Sequence, residues 1–216
     1  MKILSQILCL CSLLLLTGCD YIFPHTWRYK ITVEIKTPEG IKSGYAVREV
    51  TARLQYPLNP DVGKVVYHVA GEAVVVDLGE RGILFSLIGA KDEVQKAFPK
   101  NTKKIPEKLD YYNHLKVGST AELPSKKRQF ITFTDIDDPI SIRTVEQSDF
   151  ENVFGEGVSF NKITIEIVSQ PVSFGTVREA LKWFDTKRIG SRRWDPKKPD
   201  QANYLTKEDF IQGKRK

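Results

Sequence analysis

Hydrophobic and polar residues alternate strictly over Tyr29–Lys36. Tyr29, Ile31, Val33 and Ile35 fall on one face, and Lys30, Thr32, Glu34 and Lys36 on the other. A period of two predicts a half-buried antiparallel strand. Thr37-Pro-Glu-Gly40 is turn chemistry, and residues 45–56 read as a second strand. Residues 64–78 read as a long third strand, bent or bulged at Gly71. Val74-Val75-Val76 is apolar on both faces, which places that strand centrally. Gly79-Glu-Arg-Gly82 is a short loop leading to residues 83–88, a hairpin partner for the third strand. Strands resume at 129–133, 140–145 and 160–168. The expected fold class is mainly β (α+β): an antiparallel sandwich-like or curled sheet with a helical insertion and a C-terminal helix.

The insertion occupies residues 89–128. Ala90, Val94, Ala97 and Phe98 share one face of a short helix that Pro99 ends, and a second helical turn is expected at 106–115. Thr176-Val-Arg-Glu179 has capping-box spacing and opens a helix with Val177, Ala180, Leu181 and Phe184 along one side. The single β-rich domain is therefore expected over 27–185. Residues 186–216 form a basic polar tail, extended or loosely docked, with scattered anchors at Trp194, Tyr204 and Phe210 and no core of its own. Lys30-Ile-Thr-Val-Glu-Ile35 recurs as Lys162-Ile-Thr-Ile-Glu-Ile167, and Val47-Arg-Glu49 as Val177-Arg-Glu179. Either residues 30–49 and 162–179 are a duplication, or alternating strands simply draw on few residue types.

The start of the chain follows a different pattern. Lys2 precedes an apolar run from Ile3 to Leu16, interrupted by Ser5, Gln6 and Ser12, and small residues lead into Cys19. That order is a secretory signal over 1–18, too short for a spanning helix. Leu16-Thr-Gly-Cys19 resembles the lipobox of bacterial lipoproteins. The resemblance implies cleavage before Cys19 and lipid (palmitate among the acyl chains) on that cysteine. Residues 19–26 then form a tether reaching at most ~25 Å. Its Tyr21, Ile22 and Phe23 suit either a membrane interface or packing on the domain. Asp20 resembles the inner-membrane retention signal of enteric lipoproteins. The implied location is the periplasmic side of the cell membrane, with the outer membrane as the alternative.

Composition narrows the chemistry. All three cysteines lie at or before position 19, so no disulfide framework or cysteine-based metal site is available to the body. Residues 186–216 carry ten Lys/Arg against four Asp/Glu, whereas residues 19–185 carry 22 against 23. A basic tail on a near-neutral body argues against nucleic-acid binding. His25 lies in the tether, His114 in the insertion, and His68 among apolar strand neighbours as a structural histidine. No hydrolase elbow, phosphate loop, dinucleotide fingerprint or zinc motif is present, so no cofactor is expected.

Asp135 and Asp137 point the same way on an extended chain and, with Asp138, form a weak calcium-type candidate; local turn chemistry is the more usual account of such a run after a strand. Glu72 and Asp77 read as solvent-facing strand ends. Arg188, Arg192, Arg193 and Trp194 are the candidate contacts to an acidic envelope component or protein partner. From Trp27 to about Asp185, Gly71-Glu-Ala-Val-Val-Val-Asp77, Thr132-Phe-Thr-Asp-Ile-Asp-Asp-Pro139 and Phe154-Gly-Glu-Gly-Val158 resemble stretches of hypothetical proteins of proteobacteria and their phages. That resemblance implies a shared domain and assigns no catalytic residue. The expected role is non-catalytic binding or a structural role in the cell envelope. A hydrolase or metal-dependent enzyme using His68, Asp135 and Asp137, or a carrier of a small apolar ligand, are the alternatives.

Overall fold

The computed structural model describes residues 24–55, 65–89, 91–124, 128–189 and 204–213. The alternating segments form strands β1 (His25–Thr37) and β2 (Gly40–Leu54), a hairpin in which Thr37 faces Gly40. Gly40 takes a φ of 121° that an L side chain rarely adopts. β3 (Val65–Glu72), β9 (Ser159–Ile167), β6 (Thr120–Glu122) and β10 (Ile211–Gln212) complete a six-stranded sheet in the order β10-β3-β2-β1-β9-β6. β4 (Val74–Asp77), β5 (Ile83–Ser86), β7 (Phe130–Phe133) and β8 (Ile142–Val145) form a second sheet in the order β4-β5-β7-β8. Every pairing is antiparallel, and the architecture is a mainly β sandwich with few helices.

The long third strand is two strands in different sheets. The chain leaves the first sheet at Ala73 and enters the second as β4. Val75 remains opposite Gly44, where a Cβ would stand 1.9 Å from the Val75 carbonyl oxygen. Glycine there lets the two sheets touch at this corner. β4 is an edge strand, not a central one. Its triple valine is apolar on both faces because both are covered: Val74 and Val76 join the core between the sheets, and Val75 packs on a second core behind.

That second core corrects the reading of the C-terminal region. Phe85, Ile131 and Phe133 of the second sheet pack against Val177, Leu181, Trp183, Phe184, Ile189, Leu205 and Phe210. Phe210 is fully buried, and β10 pairs with the end of β3. Residues 204–213 are thus a structural layer and not a loosely docked tail. Three buried apolar side chains, Ile189, Leu205 and Phe210, spread over 22 residues do this, a spacing with no period to read.

The insertion carries α1 (Glu93–Ala97) and α2 (Ile105–Asn113), which packs on β1 and buries Leu109 and Tyr112. A short α3 (Phe150–Phe154) precedes β9. α4 (Thr176–Ala180) starts from Gly175, not from a capping box at Thr176. The capping box is found instead at Thr206–Asp209, opening α5 (Lys207–Phe210).

The matched motifs of β1 and β9 lie side by side. Antiparallel pairing sets Lys30 against Glu166, Thr32 against Thr164 and Glu34 against Lys162. A Lys-x-x-x-Glu strand is its own antiparallel complement, and ion pairs form at both ends. Val47-Arg-Glu49 is strand where Val177-Arg-Glu179 is helix, so the echo extends no further than this pair.

Candidate functional site

The most heavily charged buried site joins the two sheets. Arg48 points inward from β2 and is completely buried; its Nη1 donates to both Glu93 carboxylate oxygens, at 3.2 and 3.0 Å. Arg128, entering β7, also donates to Glu93, and the Tyr29 hydroxyl from β1 donates to Glu93 Oε2 at 2.6 Å. The two guanidiniums exceed the single carboxylate by one charge. Backbone carbonyls and the Ser86 hydroxyl take up remaining donors: Arg48 Nε reaches Glu72 O at 3.0 Å, Arg128 Nη2 reaches Leu87 O at 3.0 Å, and Arg128 Nε reaches Ser86 Oγ at 2.8 Å. Burial alone would push the Glu93 carboxyl up, but Arg48, Arg128 and the Tyr29 hydroxyl outweigh it and hold it below the usual carboxylate range. Burial, reinforced by Glu93, pushes the Tyr29 hydroxyl well up. Satisfied on every side and out of water, this network fastens β1, β2, α1 and β7 together and presents no reacting atom to a substrate.

Glu72 extends the same construction and is fully buried, in contrast to the solvent-facing position expected of it. Its carboxylate accepts the Gly175, Thr176 and Val177 N–H groups at 3.2, 3.2 and 3.1 Å, capping α4 from a distant strand. Asp77 is exposed as expected and accepts Gly79 N–H at 2.8 Å.

The accessible site lies where β9 stops. β9 pairs with β1 only from Tyr29 onward, and beyond a last bond from Val168 N–H to Arg28 O at 3.1 Å the start of β1 lacks that neighbour. The gap is a cleft of roughly 270 Å³, lined by Thr26, Trp27, Arg28 and Glu49, by Tyr112, Asn113, Leu115 and Val117 after and along α2, and by Ile167 and Val168. Asn113 Oδ1 accepts Thr26 N–H at 2.9 Å, and the Trp27 and Tyr112 rings meet at 5.7 Å. Arg28 and Glu49 pair across the cleft rim at 2.6 Å. The Trp27 indole N–H is buried with no hydrogen-bond partner among the described residues. An apolar floor under a polar rim is the usual make-up of a binding site. No sequence pattern marked it, because its residues come from four separate segments.

The candidate chemical residues are not assembled. His68 is exposed on the outer face of the first sheet opposite Thr51, not held as a structural histidine. Asp135 and Asp137 follow β7 in the other sheet. Asp135 Oδ1 accepts Asp137 N–H at 3.0 Å and Asp138 Oδ1 accepts Ile140 N–H at 2.9 Å, which is the turn chemistry of short acidic side chains. Among the described residues no group of three or more His, Cys, Asp or Glu is placed to hold a metal ion. His114 is exposed beside Asp110, and His25 is buried at the start of β1. Arg188 is exposed. Cys19, Asp20, Arg192, Arg193 and Trp194 lie outside the described residues. No family model, no curated protein and no solved structure matches this chain.

Proposed function

We propose that this chain is an envelope lipoprotein, anchored to the periplasmic side of the cell membrane through Cys19, whose β domain serves as a non-catalytic binding module. The lipobox-like Leu16-Thr-Gly-Cys19 carries the reading. It ends only six residues before β1 begins at His25. The first residues of that strand line the accessible cleft, so the site sits close to the anchor. The cleft offers apolar contact and a rim already paired in charge, which suits recognition, whereas His68, Asp135 and Asp137 are spread over two sheets.

Replacing Cys19 by serine tests the anchor. Labelled fatty acid should enter the native chain and not Cys19→Ser, and the variant should accumulate as unprocessed precursor. Normal processing and membrane retention of Cys19→Ser would refute the assignment.

A further inference from the structure

Charge is separated along β1 in a way that the near-neutral total of the body conceals. Residues 91–119, the greater part of the insertion, hold seven lysines against four acidic residues. One of those acids, Glu93, is buried between Arg48 and Arg128, so its charge is already spent. Lys96 and Lys104 pair with Asp92 and Glu107. Lys103, Lys108 and Lys116 have no ion pair among the described residues, and Lys103 and Lys116 are exposed. This basic segment adjoins the start of β1: Asn113 holds Thr26, and Gly118 N–H donates to Ile167 O at 2.8 Å at the end of β9.

The far end of β1 is the opposite. Residues 146–157 contain four acidic side chains and no basic one. They precede β9, whose Ser159 pairs with Lys36, and Arg81 bridges from Phe154 O to Glu39 in the β1–β2 turn. Thirteen strand residues put roughly 40 Å between the two ends. Beside the basic end, Val117 is 58% exposed and lines the cleft.

From this arrangement we infer that the α2 segment, with Lys108 on the helix and Lys103, Lys116 and Val117 flanking it, rests on the anionic phospholipid surface of the bilayer. The inference takes its orientation from the proposed lipid on Cys19, which cannot lie more than ~25 Å from Thr26. Juxtamembrane lysines gain from anionic headgroups within a Debye length, and the acidic end points away from a surface that would repel it. The lipid chains hold the domain at the membrane, and this face sets which way the domain stands. The second sheet and the acidic loops are then turned toward the compartment.

The test uses the chain from residue 19 onward with Cys19→Ser, which keeps every described residue and carries no lipid. It should sediment with vesicles of phosphatidylethanolamine and phosphatidylglycerol, far less with phosphatidylcholine, and be released by salt. Lys103→Glu, Lys108→Glu and Lys116→Glu together should weaken binding at least roughly tenfold with the thermal midpoint unchanged. If that variant misfolds, Val117→Cys carries an environment-sensitive dye as the sole thiol. Its emission should shift blue on anionic vesicles, and the same dye at Glu156→Cys should not.

Three results would each overturn the inference. Binding could survive the lysine reversals and disappear when Arg192, Arg193, Lys197 and Lys198 are reversed, making the tail the docking element. Phosphatidylcholine could be bound equally well. A soluble polyanion could bind while vesicles do not, making the partner a polymer. Because no lipid is attached in this assay, its failure leaves the Cys19 assignment standing. Failure of fatty-acid labelling would likewise leave the vesicle result to be read by itself.

Discussion

The two cores of this protein are built on opposite terms. The core between the sheets contains the Arg48–Glu93–Arg128 ion network as well as its aliphatic side chains. The core behind the second sheet is apolar and aromatic, with Phe210 against Phe85 and Phe184 at ring distances of 5.8 and 5.9 Å. Removing part of an apolar core costs contact area and leaves a void. Removing part of a buried ion network leaves a charge with no partner and no water. The first core therefore tolerates change in its aliphatic residues better than in its ions, although the ions add little net stability over well-packed hydrophobes.

Glu93→Ala should have the largest effect, about 3–5 kcal/mol lost in urea unfolding, because two guanidiniums are stranded instead of one. A loss below about 1 kcal/mol would mean that water already reaches the site. Since folding lowers the Glu93 pKa, the stability it supplies is present above the ordinary carboxylate range. That stability is lost as pH falls through the lower folded value. Wild-type melting temperature should drop on acidification below about pH 4.5, and more steeply than that of Glu93→Gln.

Phe210→Ala should come next, costing about 3–4 kcal/mol by opening a cavity in a fully buried aromatic cluster. If the melt instead becomes two transitions, the C-terminal layer unfolds as its own unit and the two cores are less coupled than Glu72 suggests. Glu166→Gln, which breaks only the half-buried surface pair with Lys30, should change stability by less than about 1 kcal/mol. A larger loss would show that the self-complementary β1–β9 pairing matters beyond its backbone bonds.

Much of the first core was legible because strand alternation is a local signal. Tyr29, Ile31, Val33 and Ile35 are buried, and their polar neighbours face outward. The helices at 93–97 and 105–113 fell within the expected insertion for the same reason. Of the second core, the shared side of Val177, Leu181 and Phe184 was legible, but the rest was not: Ile189, Leu205 and Phe210 share no period, and only the fold shows that one sheet face needs covering. The cleft escaped notice because it is an absence, the place where β9 ends before β1 does. No local pattern marks Glu93 or Arg128, because their role depends on partners 35 to 64 positions away.

What the amino-acid order determined unaided is therefore local: which residues alternate, where turns fall, and that no thiol follows Cys19. Tertiary structure alone decided the split of β3 and β4 between two sheets, the burial of Glu72, the docking of residues 204–213, and the separation of basic and acidic ends along β1. The physical reason is distance. Periodicity and turn propensity act between residues a few positions apart. Charge pairing, layer coverage and cleft formation depend on groups the chain brings together only after it has folded.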